Sequence, residues 1–201
     1  MTTKEKIIHE ALLLFSKQGY EAVSVRDISR QVGIKESSLY NHFKNKQDIF
    51  DSIIVVCQER AMKQYTDLNL QDTFKGDFTI YQNIQSDLLL TFTTQLFSFY
   101  VTDEYLSKFR QMLTIEQYNN PKIQSMFRDT FIEQALQFQS GLFQHLMATG
   151  SMIQSDPMAT ALEFYSPIFL MLYRYDSLDE NVLKTLKAHI DNFALKNNPK
   201  K

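Results

Sequence analysis

The sequence predicts an all-α chain of about nine helices, a small three-helix N-terminal part followed by a larger helical part. Three observations carry this. Only 5 Gly and 4 Pro occur among 201 residues, too few turn formers for an all-β or loop-rich fold. Hydrophobic residues make up 44% of the chain, enough for a real core. Apolar residues recur at spacings of three and four, with helix start and stop signals between the runs.

The first helix is expected from about Thr3 to Lys17. Ile7, Ile8, Ala11, Leu12, Leu14 and Phe15 form its stripe, and Gly19 stops it. Ser24 opens a second helix through a Ser-x-x-Asp capping box with Asp27, and Val25, Ile28 and Val32 face inward. Gly33 breaks that helix for a tight turn. A short third helix, about Lys35 to Phe43, is anchored by Leu39 and Phe43. Ser37, Ser38, Tyr40, Asn41 and His42 then point mostly outward, and that face is free to act as a reading head. Three short helices with a Gly turn before the third match a helix-turn-helix.

Asn45 caps a long fourth helix, with Asp48 three residues on and a stripe of Ile49, Phe50, Ile53, Ile54, Cys57, Ala61, Tyr65 and Leu68. It is longer than a three-helix domain needs and bridges into the second half. Asp67–Asp77 is a polar connection. Helix five covers about Phe78 to Tyr100, and helix six about Thr102 to Tyr118. Asn120-Pro121 starts one long helix, or a bent pair, reaching Thr149. Asp156-Pro157 repeats that signal for helix eight, to about Tyr175, and a Ser177–Glu180 capping box opens helix nine, to about Lys196. Asn197–Lys201 should fray.

Charge is unevenly placed. Residues 1–46 carry eight Lys/Arg against five Asp/Glu, a net +3, whereas the remainder carries −5. A basic excess at one end suits a nucleic-acid partner there. Cys57 is the one cysteine; its apolar neighbours predict a buried thiol, and a lone cysteine fits a reducing compartment. No signal-peptide core and no apolar run of membrane length is visible. The expectation is a cytoplasmic protein without a membrane partner. Enzyme chemistry finds no support. The histidines are His9, His42, His145 and His189, and Leu13 stands where a His-Glu-x-x-His motif would need its second histidine. No Glu-x-x-His, phosphate-cradling glycine loop or Gly-x-Ser-x-Gly occurs. No metal, cofactor or catalytic residue is expected.

The residues of the helix-turn-helix say more than its pattern. Phe15, Gly19-Tyr20, Ser24-Val25-Arg26-Asp27-Ile28, Gly33, Leu39-Tyr40, His42-Phe43 and Lys46 closely resemble the N-terminal domain of the TetR family of bacterial regulators. The resemblance covers about the first quarter of the chain. It implies domains at 1–46, binding DNA, and 47–201, binding an effector and dimerising. It also implies that Tyr40 and His42 contact phosphates, as does Lys46 with the first amides of helix four, where a helix N-terminus favours anions. Ser24, Arg26 and Ser38 would support phosphate contacts, and Ser37 and Asn41 would lie closest to base edges. The chain departs from family usage at Lys35, where a capping Ser or Thr is frequent, at Glu36, where Lys or a neutral residue is common, and at Ser29, where a small alanine is usual.

The C-terminal half adds a dimer from its own pattern. Helix eight is apolar nearly all round, from Ala161 to Tyr173, and such a helix must be buried on every face. Packing of helices eight and nine against a second copy explains this, through Phe164, Ile168, Leu172, Leu183, Leu186, Ile190 and Phe193. Aromatic and Met residues are dense between helices five and eight. They are either plain core or, as the family implies, the wall of an effector pocket. The candidate wall comprises Phe92, Leu96, Phe99, Phe109, Arg110, Met112, Leu113, Tyr118, Phe127, Phe131 and Phe164. Thr114, Glu116 and Gln117 are further polar contributors; for Arg110, an internal Arg–Glu pair and a ligand contact stay equally open. The expected function is a dimeric repressor that binds a palindromic operator and is released by a small, mainly apolar effector. The alternative is a helical adaptor that does not bind DNA.

Overall fold

The computed structural model describes residues 1–68, Phe78 and residues 86–199. Most of the expected Asp67–Asp77 connection, positions 79–85 of the expected fifth helix, and the end of the expected frayed tail lie outside the described residues. The helices are α1 (Thr3–Gln18), α2 (Val25–Val32), α3 (Glu36–Leu39), α4 (Lys46–Asp67), α5 (Ser86–Thr102), α6 (Glu104–Glu116), α7 (Pro121–Arg128), α8 (Gln134–Ala148), α9 (Pro157–Arg174) and α10 (Glu180–Asn197). A π-helical turn, Asp129–Glu133, joins α7 to α8. Of the two expected forms, one long helix or a bent pair, the structure has one continuous run with an extra residue in its middle; counted once, it makes nine helices among the described residues. No strand occurs among the described residues. No described helix is long and apolar enough to cross a membrane.

Helix ends follow the local chemistry. Ser24 Oγ accepts from the Asp27 amide at 3.2 Å and the Asp27 carboxylate accepts from the Ser24 amide at 3.0 Å. Asn45 Oδ1 accepts from the Asp48 amide at 2.9 Å, while the Asp48 carboxylate takes the Lys44 amide. Thr2 and Glu5 make a further capping box ahead of α1. Two expectations are corrected. α10 is capped by Asp179, whose carboxylate accepts from the Asn181 and Val182 amides, so Ser177 is not its cap. A carboxylate one residue before the helix reaches two orphan amides, where Ser177 stands too far out. α3 has only four α-helical residues; its end tightens into three-residue bonds such as His42 N–H to Leu39 O, 2.9 Å.

The chain forms two compact units. One comprises Met1–Gln64 and Glu104–Phe127, the other Tyr65–Asp103 and Arg128–Lys201. The helix-turn-helix at 1–46 lies inside the first, which extends to most of α4, all of α6 and most of α7. In this unit α1 packs on α2 and on α6. Ile7, Ala11, Leu12 and Phe15 are buried, as are Leu106, Phe109, Met112 and Leu113 of α6. Burying each such side chain contributes about 1.5–3 kcal/mol. Cys57 is buried here too, as its neighbours predicted.

In the second unit α8 packs on α9, and α5 on α10 and α9. Phe143, Phe164 and Phe193 form a ring cluster with centroids 4.8–5.5 Å apart. Offset and edge-on aromatic contacts of this kind add to the area they bury.

α1 ends at Gly19, with φ +81° and ψ 162°, a backbone region that is essentially glycine's alone. A Cβ there would also sit 3.1 Å from Glu116 Oε1. Gly19→Ala should therefore destabilise the protein by about 1–3 kcal/mol, read as a lower urea midpoint; Gly33→Ala, where a Cβ meets open space, serves as the positive-φ control and should cost less.

Candidate functional site

The face expected to meet nucleic acid is assembled by α2, α3 and the start of α4. Leu39 and Phe43 are buried and fix α3 to the small core. Ser24, Arg26, Lys35, Glu36, Ser37, Asn41 and His42 are exposed, Ser38 is half-buried, and Tyr40 is 49% exposed. A tyrosine left so open, between two buried anchors, is free to offer its hydroxyl outward. Lys35 stands at the N-cap of α3 with no side-chain cap bond, so the missing Ser or Thr is not replaced locally. Glu36 occupies the first turn of α3, where a carboxylate suits the positive end of the helix. The Asp27 carboxyl is held below its ordinary pKa by the Ser24 hydroxyl and amide, which keeps the cap formed at neutral pH.

Lys46 sits differently from its expected role. Its ammonium donates to the Tyr20 carbonyl at 2.8 Å and the Val23 carbonyl at 3.0 Å, and lies 4.1 Å from the Tyr20 ring centroid. These are charge-assisted bonds to the turn between α1 and α2. A second side chain closes on the same turn: the Glu116 carboxylate of α6 accepts from the Tyr20 amide at 2.7 Å. Lys6 of α1 likewise donates to the Val32 carbonyl at the end of α2, 2.9 Å away. Sequence reasoning missed these three links. They join residues 26 and 96 positions apart, and the one available signal was a charged residue beside an apolar stripe.

The second unit holds a cavity of about 130 Å³. Of the expected wall, Phe92, Leu96, Phe131 and Phe164 line it. The other seven do not. Phe109, Arg110, Met112 and Leu113 are buried in the first unit because the apolar stripe of α6 is used up covering α1, and Phe127 of α7 is buried in that unit too. Tyr118 is 82% exposed just beyond α6, and Phe99 lies outside the lining, its ring turned onto Tyr100. Thr114 and Gln117 bond within their own helix region, and Glu116 holds Tyr20.

The polar groups that do reach the cavity are Tyr65, Tyr100, Tyr165, Thr93, Thr130, Gln134 and Gln139. The Tyr65 and Tyr100 hydroxyls are 2.6 Å apart. Tyr165 donates to the Phe131 carbonyl at 2.7 Å, inside the π-helical turn, where Gln134 N–H pairs back to Asp129 O. Burial is the main cause that pushes all three phenols above their ordinary pKa, so each stays neutral. Among the described residues no Asp, Glu, Lys, Arg or His lines the cavity, and no described cluster of ligating side chains could hold a metal ion.

The dimer-face expectation is also revised. Phe164, Ile168, Leu172, Leu186, Ile190 and Phe193 are buried within their own unit; of the seven expected residues only Leu183 is exposed, at 38%. The stripe they form packs into the core with α5 and α8. A second apolar stripe stays open on α9, at Met158, Leu162, Leu170 and Tyr173, with Leu195 on α10.

Residues 7–53 match the family model of bacterial regulatory proteins, tetR family. A biofilm operon icaADBC HTH-type negative transcriptional regulator, IcaR of Staphylococcus epidermidis, is 44% identical over 54 residues, 27% of this chain and 29% of that relative. The match thus spans under a third of the relative's length. The ketosteroid transcriptional regulator KstR2 of Mycobacterium tuberculosis has a similar fold, with TM-score 0.66 at 15% identity over 98% of this chain and 95% of that one. A transcriptional regulator from Saccharomonospora viridis, solved in complex with choline, gives TM-score 0.65 at 17% identity over 94% of each chain. Residues 7–53 thus carry the N-terminal domain of bacterial regulatory proteins, tetR family, and the fold of the whole chain is similar to that of solved regulators of that type.

Two outcomes follow. Lys46→Met should lower stability by about 1.5–3 kcal/mol, the range for hydrogen bonds to a charged group, seen as a lower urea midpoint without DNA present. For the phenols, a raised folded pKa means stability present below pH ~10, the ordinary phenol value, and lost as pH rises through the folded pKa. In a 295 nm alkaline titration Tyr65, Tyr100 and Tyr165 should ionise only as the second unit unfolds, leaving a native plateau below the full count of 10 tyrosines.

Proposed function

We propose that this tetR-family chain is a transcriptional repressor that binds a palindromic operator as a homodimer and lets go when a small, mainly apolar effector enters the cavity of the second unit. The observation that carries DNA binding is the open face of α3, with Tyr40 and His42 exposed between the buried anchors Leu39 and Phe43. On this reading Tyr40 and His42 take phosphates, Ser24, Arg26 and Ser38 support them, and Ser37 and Asn41 lie at base edges, where Asn pairs with adenine. Lys35 and Glu36 flank that edge and tune which sequence is accepted. Lys46 acts indirectly, by holding the turn from which α2 starts. The start of α4 contributes its positive end.

Repression is supported by the printed role of the staphylococcal relative, a negative regulator. Small-molecule response is supported by the cavity and by the choline complex of a protein of the same fold. The partner face is the outer stripe of α9, Met158, Leu162, Leu170 and Tyr173, with Leu183 and Leu195 of α10. On a palindromic site the two reading heads of a dimer would meet successive major grooves about 34–36 Å apart, one helical turn of DNA.

The test starts from DNA selected by the protein out of a random pool. The recovered site should be a palindrome, and log affinity should fall steeply with log salt because phosphate contacts release counterions. A flat salt slope would favour the adaptor reading instead. Leu170→Glu with Tyr173→Glu should give a monomer by sedimentation and weaken operator binding at least tenfold; a dimer that survives both changes rules this face out.

A further inference from the structure

We infer that the first unit carries a ligand site of its own: the cavity between the turn before α2, the first half of α4 and the corner from α6 to α7 binds a small amidinium- or guanidinium-type cation. It lies in the other unit from the effector cavity and does not depend on the effector reading.

The cavity measures about 180 Å³, and its described wall belongs wholly to the first unit. A cavity of about 150 Å³ already holds benzene, so a single-ring body enters here. Tyr20, Phe50, Ile54 and Ile123 give the wall its carbon surface, with the Tyr20 and Phe50 rings edge-on and their centroids 5.1 Å apart. Gln47, Asn119 and Asn120 add amides, and Glu21, Asp51 and Glu116 add carboxylates.

Glu116 is the residue that calls for a ligand. It is only 5% exposed. Its Oε1 takes the Tyr20 amide at 2.7 Å. Its Oε2 accepts no hydrogen bond among the described residues, yet it is not sealed from water. Half of a nearly buried carboxylate that lines a cavity is thus unpaired. Removing an ionised group from water is costly, so such groups are normally paired.

The surrounding charge has the matching sign. Glu21 and Asp51 are exposed and bring two more carboxylates to the wall. The Tyr20 phenol is pushed above its ordinary pKa first by burial, then by Glu21, Asp51 and Glu116, so their field converges on the wall. Lys122 of the wall is exposed, and no ion pair joins it to these carboxylates among the described residues. The Lys46 ammonium is spent on the Tyr20 and Val23 carbonyls.

The spread of the acceptors selects the kind of cation. Among the described residues no three ligating side chains are grouped closely enough to share a metal ion. A planar fork presents N–H donors at several points and matches carboxylate geometry, where an ammonium or a metal ion is a single centre.

The experiment is amide NMR titration of the full chain near neutral pH with benzamidine, benzamide, benzoate and Ca²⁺. The three organic probes share a shape and differ in charge. Benzamidine should shift the Tyr20, Gln47 and Asn119 amides and bind at least tenfold more tightly than benzamide or benzoate; Ca²⁺ should leave those amides in place. Glu116→Gln keeps an acceptor for the Tyr20 amide but removes the charge, and should weaken benzamidine at least tenfold. Glu21→Gln with Asp51→Asn changes two exposed positions, spares the core, and should weaken it at least threefold. Equal or tighter binding of benzamide or benzoate, a Ca²⁺ response at the same amides, or shifts confined to the second unit would overturn the inference. So would binding of no probe, or a benzamidine preference that survives in both variants.

Discussion

The turn from Gly19 to Val23 is gripped from both sides, and the placement of the reading face depends on that grip. Glu116 takes the Tyr20 amide and Lys46 takes the Tyr20 and Val23 carbonyls. α2 begins one residue later, at the Ser24 cap. Any loosening of the turn re-aims α2, and with it α3, whose buried Leu39 follows the small core. The bonds are strong because each pairs a charge with a backbone dipole in a partly dry place. Gly19 makes the grip possible, since a side chain there would meet the Glu116 carboxylate at contact distance. The three-helix motif is thus not self-contained. α1 has a second apolar face, and α6, a hundred residues further on by its numbering, covers it.

What the sequence made legible was local. The Ser24–Asp27 box, the Asn45 cap and the Gly stops each operate across four residues or fewer, so a linear reading finds them. The anchoring of α3 by Leu39 and Phe43 follows from one helical turn. The grip on Tyr20 could not be read, because Lys46 and Glu116 look the same on paper whether they face solvent or a backbone turn. The family resemblance drew Lys46 toward phosphate for the same reason. Aromatic density had a similar limit. Phe109 and Phe127 are core of the first unit, while Phe92 and Phe131 line a cavity in the second. Composition and spacing are alike for both pairs; the difference is which helix each stripe meets.

α9 shows where a correct pattern leads to a wrong face. Its all-round apolar surface called for burial on two sides, and one side is indeed consumed by its own unit. Successive helical positions differ by about a quarter turn, so the sequence displays both stripes without saying which is inner. Phe164, Ile168 and Leu172 proved inner; Leu162, Leu170 and Tyr173 are outer. Of the expected set only Leu183 is exposed, because it lies off the stripe of Val182, Leu186, Ile190 and Phe193 that α10 buries.

The chain passes between its two compact units inside α4, at Asp103 and at Arg128. Two of these crossings adjoin the cavity. Tyr65 is the first residue of the second unit on α4 and shares a hydrogen bond with Tyr100; Thr130 and Phe131 lie just past Arg128, in the π-helical turn. The same α4 begins with Lys46. Under the proposed function, a ligand that separates Tyr65 from Tyr100 acts on the same helix that carries Lys46. On the proposed function, operator affinity responds only by as much as the ligand prefers one arrangement of these elements over the other. Binding strength alone is not enough: the Tyr65–Tyr100 pair must differ between the two arrangements, or the cavity is a store of ligand and not a switch.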